Sequence, residues 1–478
     1  MVDSIDHSMP LNIWWIRRDL RLHDNPTLHA ALENAQAVVP LFILDPMFET
    51  SVFVGEKRLA FLYANLSQLD KDLRQRGGRL IIRQGEPALV LDDLIKETSA
   101  RAVFAQEDLS PYAVERDTAI AHQFPLVLTG GLTTHPIQSI RKLDGSAYTV
   151  YTPFSKSWKK LPFPGRGSLL PAPTRIMVPD TISSLPLPTG SSLSGEIPFP
   201  PGETEAIRRL STFLDREVLG YQENRNRMDL DGTSNLSPYF RFGLISPRHA
   251  VISALDALQR ADNVEGKAGI QTWINELIWR EFFISILANF PEVRKTSFRE
   301  DMRSIAWQNN LADFDAWTLG QTGYPIVDAG MRQLLATGWM HNRARMIVAS
   351  FLVKDLLIDW RWGERWFMQH LIDGDPAANN GGWQWSAGTG TDAAPYFRIF
   401  NPILQSKKFD PYGQYIRQWV PELSVLPDSH IHTPWEMTKE QQRQYSVEIG
   451  VVYPQPIVDH QFARQRTLDA YKRAKGSS

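Results

Sequence analysis

The sequence predicts a doubly wound α/β domain with a parallel sheet at the N-terminus, followed by a larger all-α domain. Three observations predict it. Short apolar runs alternate with helical patterns as far as Leu128. From Glu203 onward the apolar spacing is helical. Between the two lies a stretch crowded with proline. At 478 residues the chain is also too long for one ordinary core.

Taken in order, Leu11–Ile16 reads as a buried strand. Asp24, Asn25 and Pro26 open a helix that runs to Leu32, with the proline in its first turn. Val38–Leu44, Arg79–Arg83, Ala102–Ala105 and Leu126–Leu128 are the next strands, with helices over Lys57–Arg76 and Pro87–Thr98. That alternation argues for a parallel sheet. No Gly-x-Gly-x-x-Gly follows the first strand, so a standard dinucleotide site is not expected there. The first turn carries Arg17-Arg18-Asp19-Leu20-Arg21 instead.

Eleven prolines fall between Pro153 and Pro201, and Thr189–Glu196 is rich in glycine and serine. This region reads as a long interdomain connection. Phe154, Trp158 and Phe163 predict that it wraps the surface. The helical patterns beyond it are Glu203–Leu219, Pro247–Gln259, Ile270–Phe290, Tyr324–Thr337, His341–Asp359 and Glu364–Ile372. The expected division is 1–135, a connection over 136–204, and a helical domain over 205–478.

Composition narrows the function. The absence of cysteine removes disulfides, thiol nucleophiles and cysteine zinc sites, and no metal site is expected. A net charge of −2 confines any nucleic-acid site to a local patch. No apolar run is long enough for a membrane span. Met1–Pro10 resembles neither a signal nor a transit peptide, so the expected location is cytoplasmic. Ten of the 15 tryptophans lie between Trp273 and Trp385, which fits an aromatic core or a stacking and electron-transfer site.

Four segments carry candidate chemistry. On a helix, Trp273, Glu276, Trp279, Arg280 and Phe283 share one face, a mixture of acid, cation and aromatics. Asn342, Arg345 and Met346 stand at helical spacing after Trp339. Asp373-Gly374-Asp375-Pro376 and Asn379-Asn380-Gly381-Gly382-Trp383-Gln384-Trp385 read as a polar, aromatic loop after a helix stop at Gly374. Gly232-Thr233-Ser234-Asn235-Leu236-Ser237 suits a phosphate held by backbone N–H groups. Core packing, a surface helix face and a simple helix cap are the plainer readings of the first, second and fourth.

Together these segments resemble the DNA photolyase/cryptochrome family, from Trp14-Trp15-Ile-Arg-Arg-Asp-Leu-Arg-Leu-His-Asp-Asn to about Pro411 and most specifically over Trp339–Phe400. The resemblance is nearest to a microbial cyclobutane pyrimidine dimer (class I) photolyase. It implies an α/β antenna-chromophore domain, a long linker and an all-helical FAD-binding catalytic domain. It implies FAD contacts at Tyr221, Thr233, Ser234, Asn235, Leu236, Ser237, Arg345, Asp373, Asp375 and Asn379. Glu276, Asn379 and Met346 would act in catalysis, and Trp383, Trp360 and Trp307 would relay electrons from flavin to surface. Arg225, Trp279, Arg280, Asn342, Arg343, Trp385 and Gln405 would bind DNA and the dimer, with Lys407 another phosphate contact.

The implied activity is light-driven repair of cyclobutane pyrimidine dimers by an electron from reduced, photoexcited FAD. The dimer must leave the duplex to reach a buried flavin, at a cost of a few kcal/mol. Stacking on Trp279 and Trp385 returns roughly 1–3 kcal/mol per base. A second, antenna chromophore (deazaflavin, folate or flavin) is matched only by Arg58, Asp108 and Arg241. The expected partner is DNA containing such dimers, and a monomer is expected. The rival is a cryptochrome, a light receptor of the same fold. Asn379, Glu276 and Trp279 favour repair over signalling. A (6-4) photolyase would carry histidines where Asn342 and Met346 stand. An ordinary flavin oxidoreductase is a third reading.

Overall fold

The computed structural model describes residues 10–163, 165–189 and 197–476. Of the glycine- and serine-rich stretch, all but Thr189 lies outside the described residues. The chain divides into two compact units, Met1–Leu219 with Ser234–Pro291, and Gly220–Thr233 with Glu292–Ser478.

The first unit is built on five strands: β1 (Leu11–Trp15), β2 (Ala37–Leu44), β3 (Ile81–Gln84), β4 (Val103–Gln106) and β5 (Leu126–Thr129). All are parallel, in the order β3-β2-β1-β4-β5. Every residue of β1 is buried, as expected of a central parallel strand covered on both faces. The helices of this layer are α1 (Pro26–Leu32), α2 (Glu56–Arg74), α3 (Pro87–Thr98) and α4 (Pro111–Ala121). Asn25 caps α1, its side chain accepting from Leu28 N at 3.0 Å. The sequence reading passes over α4. Its buried side chains are only Ala113, Asp117 and Ile120, so the apolar stripe is faint.

The proline-rich connection holds to the sheet. It contains a helix, α5 (Tyr151–Trp158), with Phe154 and Trp158 buried. Further along, Ile176 N donates to Arg76 O, Val38 N to Met177 O and Leu185 N to Ile82 O, all at 2.9 Å.

Helices α6 (Glu203–Asp215), α7 (Ser237–Phe242), α8 (Pro247–Arg260) and α9 (Val264–Asn289) complete this unit. The expected start of α9 at Ile270 misses its first turns, which contain two glycines. Asn263 caps them, and Gly269 is required because a Cβ there would sit 2.1 Å from Val218 O. Gly243 (φ +66°) likewise lets α7 meet the Arg18 carbonyl, which a Cβ would strike at 1.7 Å. Arg21 Nη1 then donates to Gly243 O at 3.0 Å.

The second unit is helical, with an isolated bridge between Ile449 and Tyr453. Its principal helices are α10 (Leu311–Thr318), α11 (Pro325–Thr337), α12 (Asn342–Ser350), α13 (Trp360–His370), α14 (Pro376–Ala387), α15 (Pro402–Phe409), α16 (Gln414–Trp419) and α17 (His460–Gly476). Trp317, Leu334, Val348, Leu352, Trp360, Phe367 and Trp383 form part of one buried core. The helix expected over His341–Asp359 is interrupted. After α12 a π-helical turn, Phe351–Asp355, faces α17: Thr467 Oγ1 donates to Lys354 O, and His460 Nδ1 lies 2.6 Å from Asp355 Oδ1. Wide turns of this kind re-aim side chains that a regular helix would leave elsewhere.

Candidate functional site

In the second unit the segment read as a loop after Asp373 is mostly helix, which corrects that expectation. Asp375 caps α14, its Oδ1 accepting from Ala377 N (2.9 Å) and Ala378 N (3.1 Å), and Pro376 fills the first position. Gly381 and Gly382 weaken helix propensity. Tertiary bonds override it: Asn380 Nδ2 and Gln384 Nε2 both donate to Val293 O, at 3.0 and 2.9 Å.

The helix sets its side chains on α13. Asn379 is buried and its Nδ2 donates to Glu364 O at 2.9 Å. Trp383 lies flat over Gly363, where a Cβ would meet its ring at 2.1 Å. Trp360 and Trp383 are both buried in the core, and Trp307 is partly buried against it. Trp385 is half-buried on the same helix.

Arg345 and Asp373 pair. Arg345 Nη2 lies 2.8 Å from Asp373 Oδ2, and Arg345 Nε donates to Met340 O. Asp373 Oδ1, Glu364 Oε1 and Trp383 Nε1 are buried without a hydrogen-bond partner. Burial raises the Glu364 carboxyl above its ordinary range, against the pull of Arg294 and the Asn379 amide. Two carboxyl oxygens ready to accept, beside neutral and cationic donors, fit a ligand that carries N–H and O–H groups, as a flavin with its ribityl chain does. Of the remaining predicted contacts, Tyr221 is buried and Thr233 half-buried in this unit. Gly232 between them packs tightly, a Cβ there falling 2.9 Å from Asn224 Cβ.

Basic groups gather close by in the same unit. Arg343 donates to Asn226 Oδ1 through Nε (3.2 Å) and Nη2 (2.5 Å), and lies 4.3 Å over the Phe409 ring. Burial and then the Arg225 charge push its guanidinium down to about 10. Burial, then Arg343, Arg345 and Arg225, hold His341 down at about 4, so it is neutral at pH 7. Asn342 is exposed, its amide 3.9 Å from Met346 Sδ. Gln405 is half-buried and Lys407 exposed on α15.

In the first unit, Glu276, Trp279, Arg280 and Phe283 are half-buried along α9, whereas Trp273 is buried against Phe213. Arg280 Nη1 donates to Leu132 O and its guanidinium lies 5.6 Å over Phe240. Leu236 is buried, Ser234 and Asn235 half-buried, and Ser237 exposed at the start of α7. Asn235 takes the left-handed conformation (φ +51°), which asparagine tolerates better than most residues. Asp108 and Arg241 come together, with Arg18 between: Arg18 Nη1 is 3.6 Å from Asp108 Oδ2 and its Nε donates to Arg241 O. Burial pushes the Asp108 carboxyl up, but Arg18, the Ser110 N–H, Arg17 and Arg241 outweigh it and hold it low. Arg58 is buried, donating to Phe53 O at 3.0 Å.

Sequence reasoning missed Asn226, Glu364, Gly363 and Arg18 as neighbours of these residues, and Tyr151, which stacks on Trp279. Arg18 was visible in the charged first turn. The others act through contacts far along the chain and leave no local signal.

This is the fold of the photolyases and cryptochromes. Residues 12–174 match the DNA photolyase family model and residues 273–473 that of the FAD-binding domain of DNA photolyase. A deoxyribodipyrimidine photo-lyase of a Synechococcus species is 41% identical, over 97% of this chain and 97% of its own. That of Escherichia coli is 40% identical, over 98% and 99%. A bacterial class III photolyase of Agrobacterium tumefaciens superposes with a TM-score of 0.92 at 38% identity, covering 100% of this chain and 99% of its own. A Synechocystis cryptochrome gives 0.88 at 31%, over 98% and 100%. A Sulfolobus tokodaii photolyase described with two FAD molecules gives 0.80 at 32%, over 97% and 100%. The chain belongs to the DNA photolyase family.

Proposed function

We propose that this chain is a deoxyribodipyrimidine photo-lyase that repairs cyclobutane pyrimidine dimers in DNA under light. Glu276 and Trp279, on one half-buried stripe of α9 in a chain of this family, carry the reading. Bound and reduced FAD would supply, on absorbing light, an electron that opens the cyclobutane ring and then returns to the flavin.

The protein's own residues do the rest. Asp373, fixed by Arg345, would accept from the flavin edge, and Asn379 would place a neutral amide beside it. Tyr221, Thr233, Ser234, Asn235, Leu236, Ser237 and Asp375 would hold the remainder of the cofactor. Trp279 and Trp385 would stack on the flipped bases, with Met346 and Asn342 against the dimer. Glu276 would hydrogen-bond the dimer. Arg225, Arg280, Arg343, Gln405 and Lys407 would meet the strand, giving a salt-sensitive affinity despite the overall charge. Trp383, Trp360 and Trp307 would carry electrons inward from the surface.

We read residues 1–135 as the antenna domain, 136–204 as the linker and 205–478 as the catalytic domain of a cytoplasmic monomer. Among the described residues no helix is long and apolar enough to cross a membrane. A second chromophore would lie near Arg58, Asp108 and Arg241, and the archaeal relative described with two FAD molecules supports a flavin as one choice.

The test is repair of an oligonucleotide carrying one thymine dimer, with reduced protein, under blue light and in darkness. Repair only in the light is expected. Flavin photochemistry without any repair would favour the cryptochrome reading.

A further inference from the structure

One contact of the predicted lesion site comes from the linker. Tyr151, the first residue of α5, stacks on Trp279 with ring centroids 3.7 Å apart and planes 3° from parallel. Its hydroxyl donates to Asn275 O at 2.9 Å, one turn back along α9. The same short helix is pinned twice more: Lys159 Nζ donates to Asn275 Oδ1 at 2.7 Å, and buried Phe154 packs edge-on to Phe282 at 5.4 Å. Farther down, Trp158 Nε1 donates to the buried carboxylate of Glu281, which also accepts from Thr134 N, both at 2.6 Å. Phe282 stands edge-on to Trp279 and Phe283 lies tilted beside it, each at 5.6 Å, and the indole nevertheless stays half-buried.

A Trp side chain on a helix surface ordinarily samples several rotamers, and freezing one on binding opposes association. Here the freezing is done in the free protein. We infer that Tyr151 is a positioning residue for lesion recognition: it backs Trp279 and presets the plane on which a flipped pyrimidine stacks. The inference rests on the repair function proposed above. A rival role is also physical, that Tyr151 occupies the place of the base and swings away when DNA arrives. A placeholder needs a mobile side chain. Tyr151 is instead anchored at its hydroxyl, at its ring and through a helix fixed at three further points.

The experiment compares Tyr151→Phe, Tyr151→Leu and Tyr151→Ala with the parent, all as flavin-loaded protein. It measures affinity for a thymine-dimer oligonucleotide and for the undamaged strand, and repair quantum yield at saturating dimer DNA. An aromatic pair of this kind corresponds to roughly a two- to tenfold factor. Tyr151→Leu and Tyr151→Ala should lose about that much of the preference for damaged over undamaged DNA. Tyr151→Phe, which keeps the flat face, should restore it to within about twofold. Yield at saturation should stay unchanged in all three. Tighter dimer binding by Tyr151→Leu or Tyr151→Ala would establish the placeholder and overturn the inference, and so would an unaltered preference in Tyr151→Leu. Should Tyr151→Ala lose flavin through misfolding, the Leu and Phe variants decide alone. Failure of the function itself would look different: the parent would show no preference for dimer DNA.

Discussion

Arg345 Nη2 stands 2.8 Å from Asp373 Oδ2, and the other oxygen of that carboxylate is buried with no hydrogen-bond partner. A buried carboxylate that is paired on one side only has acceptor capacity left for a ligand. Asp373→Ala removes that acceptor and leaves Arg345 without its partner, a change that costs about 3–5 kcal/mol in a fully buried pair. Arg345 keeps 24% of its side chain exposed, so the lower end applies. The purified variant should have a flavin-to-protein absorbance ratio well below that of the parent. Full flavin content would show that Asp373 does not hold the cofactor.

The electron relay makes a separate claim. Trp360 and Trp383 are buried in one core, while Trp307 is partly exposed at its edge. Such a series would carry an electron from an external reductant inward. Trp307→Phe should slow light-driven reduction of oxidised flavin at least several-fold, while repair by chemically reduced protein continues at the parent rate. Unchanged photoreduction would place the entry point at another aromatic residue.

Lys354 gives a pH prediction. Its ammonium is buried, donates to Ala387 O at 2.9 Å and lies 3.7 Å over the Tyr471 ring. Burial outweighs these partners and lowers it to about 7, from an ordinary 10.5. Between those values the unfolded chain holds a proton that the folded chain has released, so this group makes stability rise with pH. The contribution is complete above the ordinary lysine range and is lost as pH falls through about 7. The Asp355 carboxyl, which burial raises to about 6, titrates below that window. Thermal midpoints of the parent and of Lys354→Met, taken at pH 7 and pH 9, should therefore differ more in the parent's favour at pH 9. A gap that stays constant or narrows would mean that Lys354 remains charged in the folded protein.

The sheet was legible because its cues are local. β1, β2 and α1 fall within a residue of expectation, since an apolar run, or a proline after a capping asparagine, acts on its immediate neighbours. The Asp373–Trp385 segment was misread because two consecutive glycines and two asparagines look like loop, whereas bonds to Val293, roughly ninety residues earlier, make it helix. The partners of the predicted residues were hidden for the same reason. Asn226 lies 117 positions from Arg343, and Tyr151 belongs to a stretch whose prolines mask a helix. Asp108 and Arg241 were named together by resemblance, but Arg18, which contacts both, was not named with them.

Glu276 and Trp279 stand on one half-buried stripe of α9, yet their roles should separate under mutation. Trp279 and Trp385 would act before any photon arrives, because stacking stabilises the flipped bases in the dark. Replacing either by alanine should weaken affinity by roughly 1–3 kcal/mol. A hydrogen bond from Glu276 gains value only as negative charge develops on the dimer, so it favours the reacting state over the ground state. Bonds to charged groups contribute about 1.5–3 kcal/mol, against nearer 1 kcal/mol for neutral pairs. Glu276→Ala should therefore lower the repair quantum yield several-fold at saturating DNA while altering affinity much less. A carboxyl donates only while it carries its proton, but a primary amide always donates. Glu276→Gln should accordingly retain more of the yield than Glu276→Ala, with equal flavin content in both. Weaker binding with an unchanged yield in both variants would make Glu276 a contact that only positions the lesion.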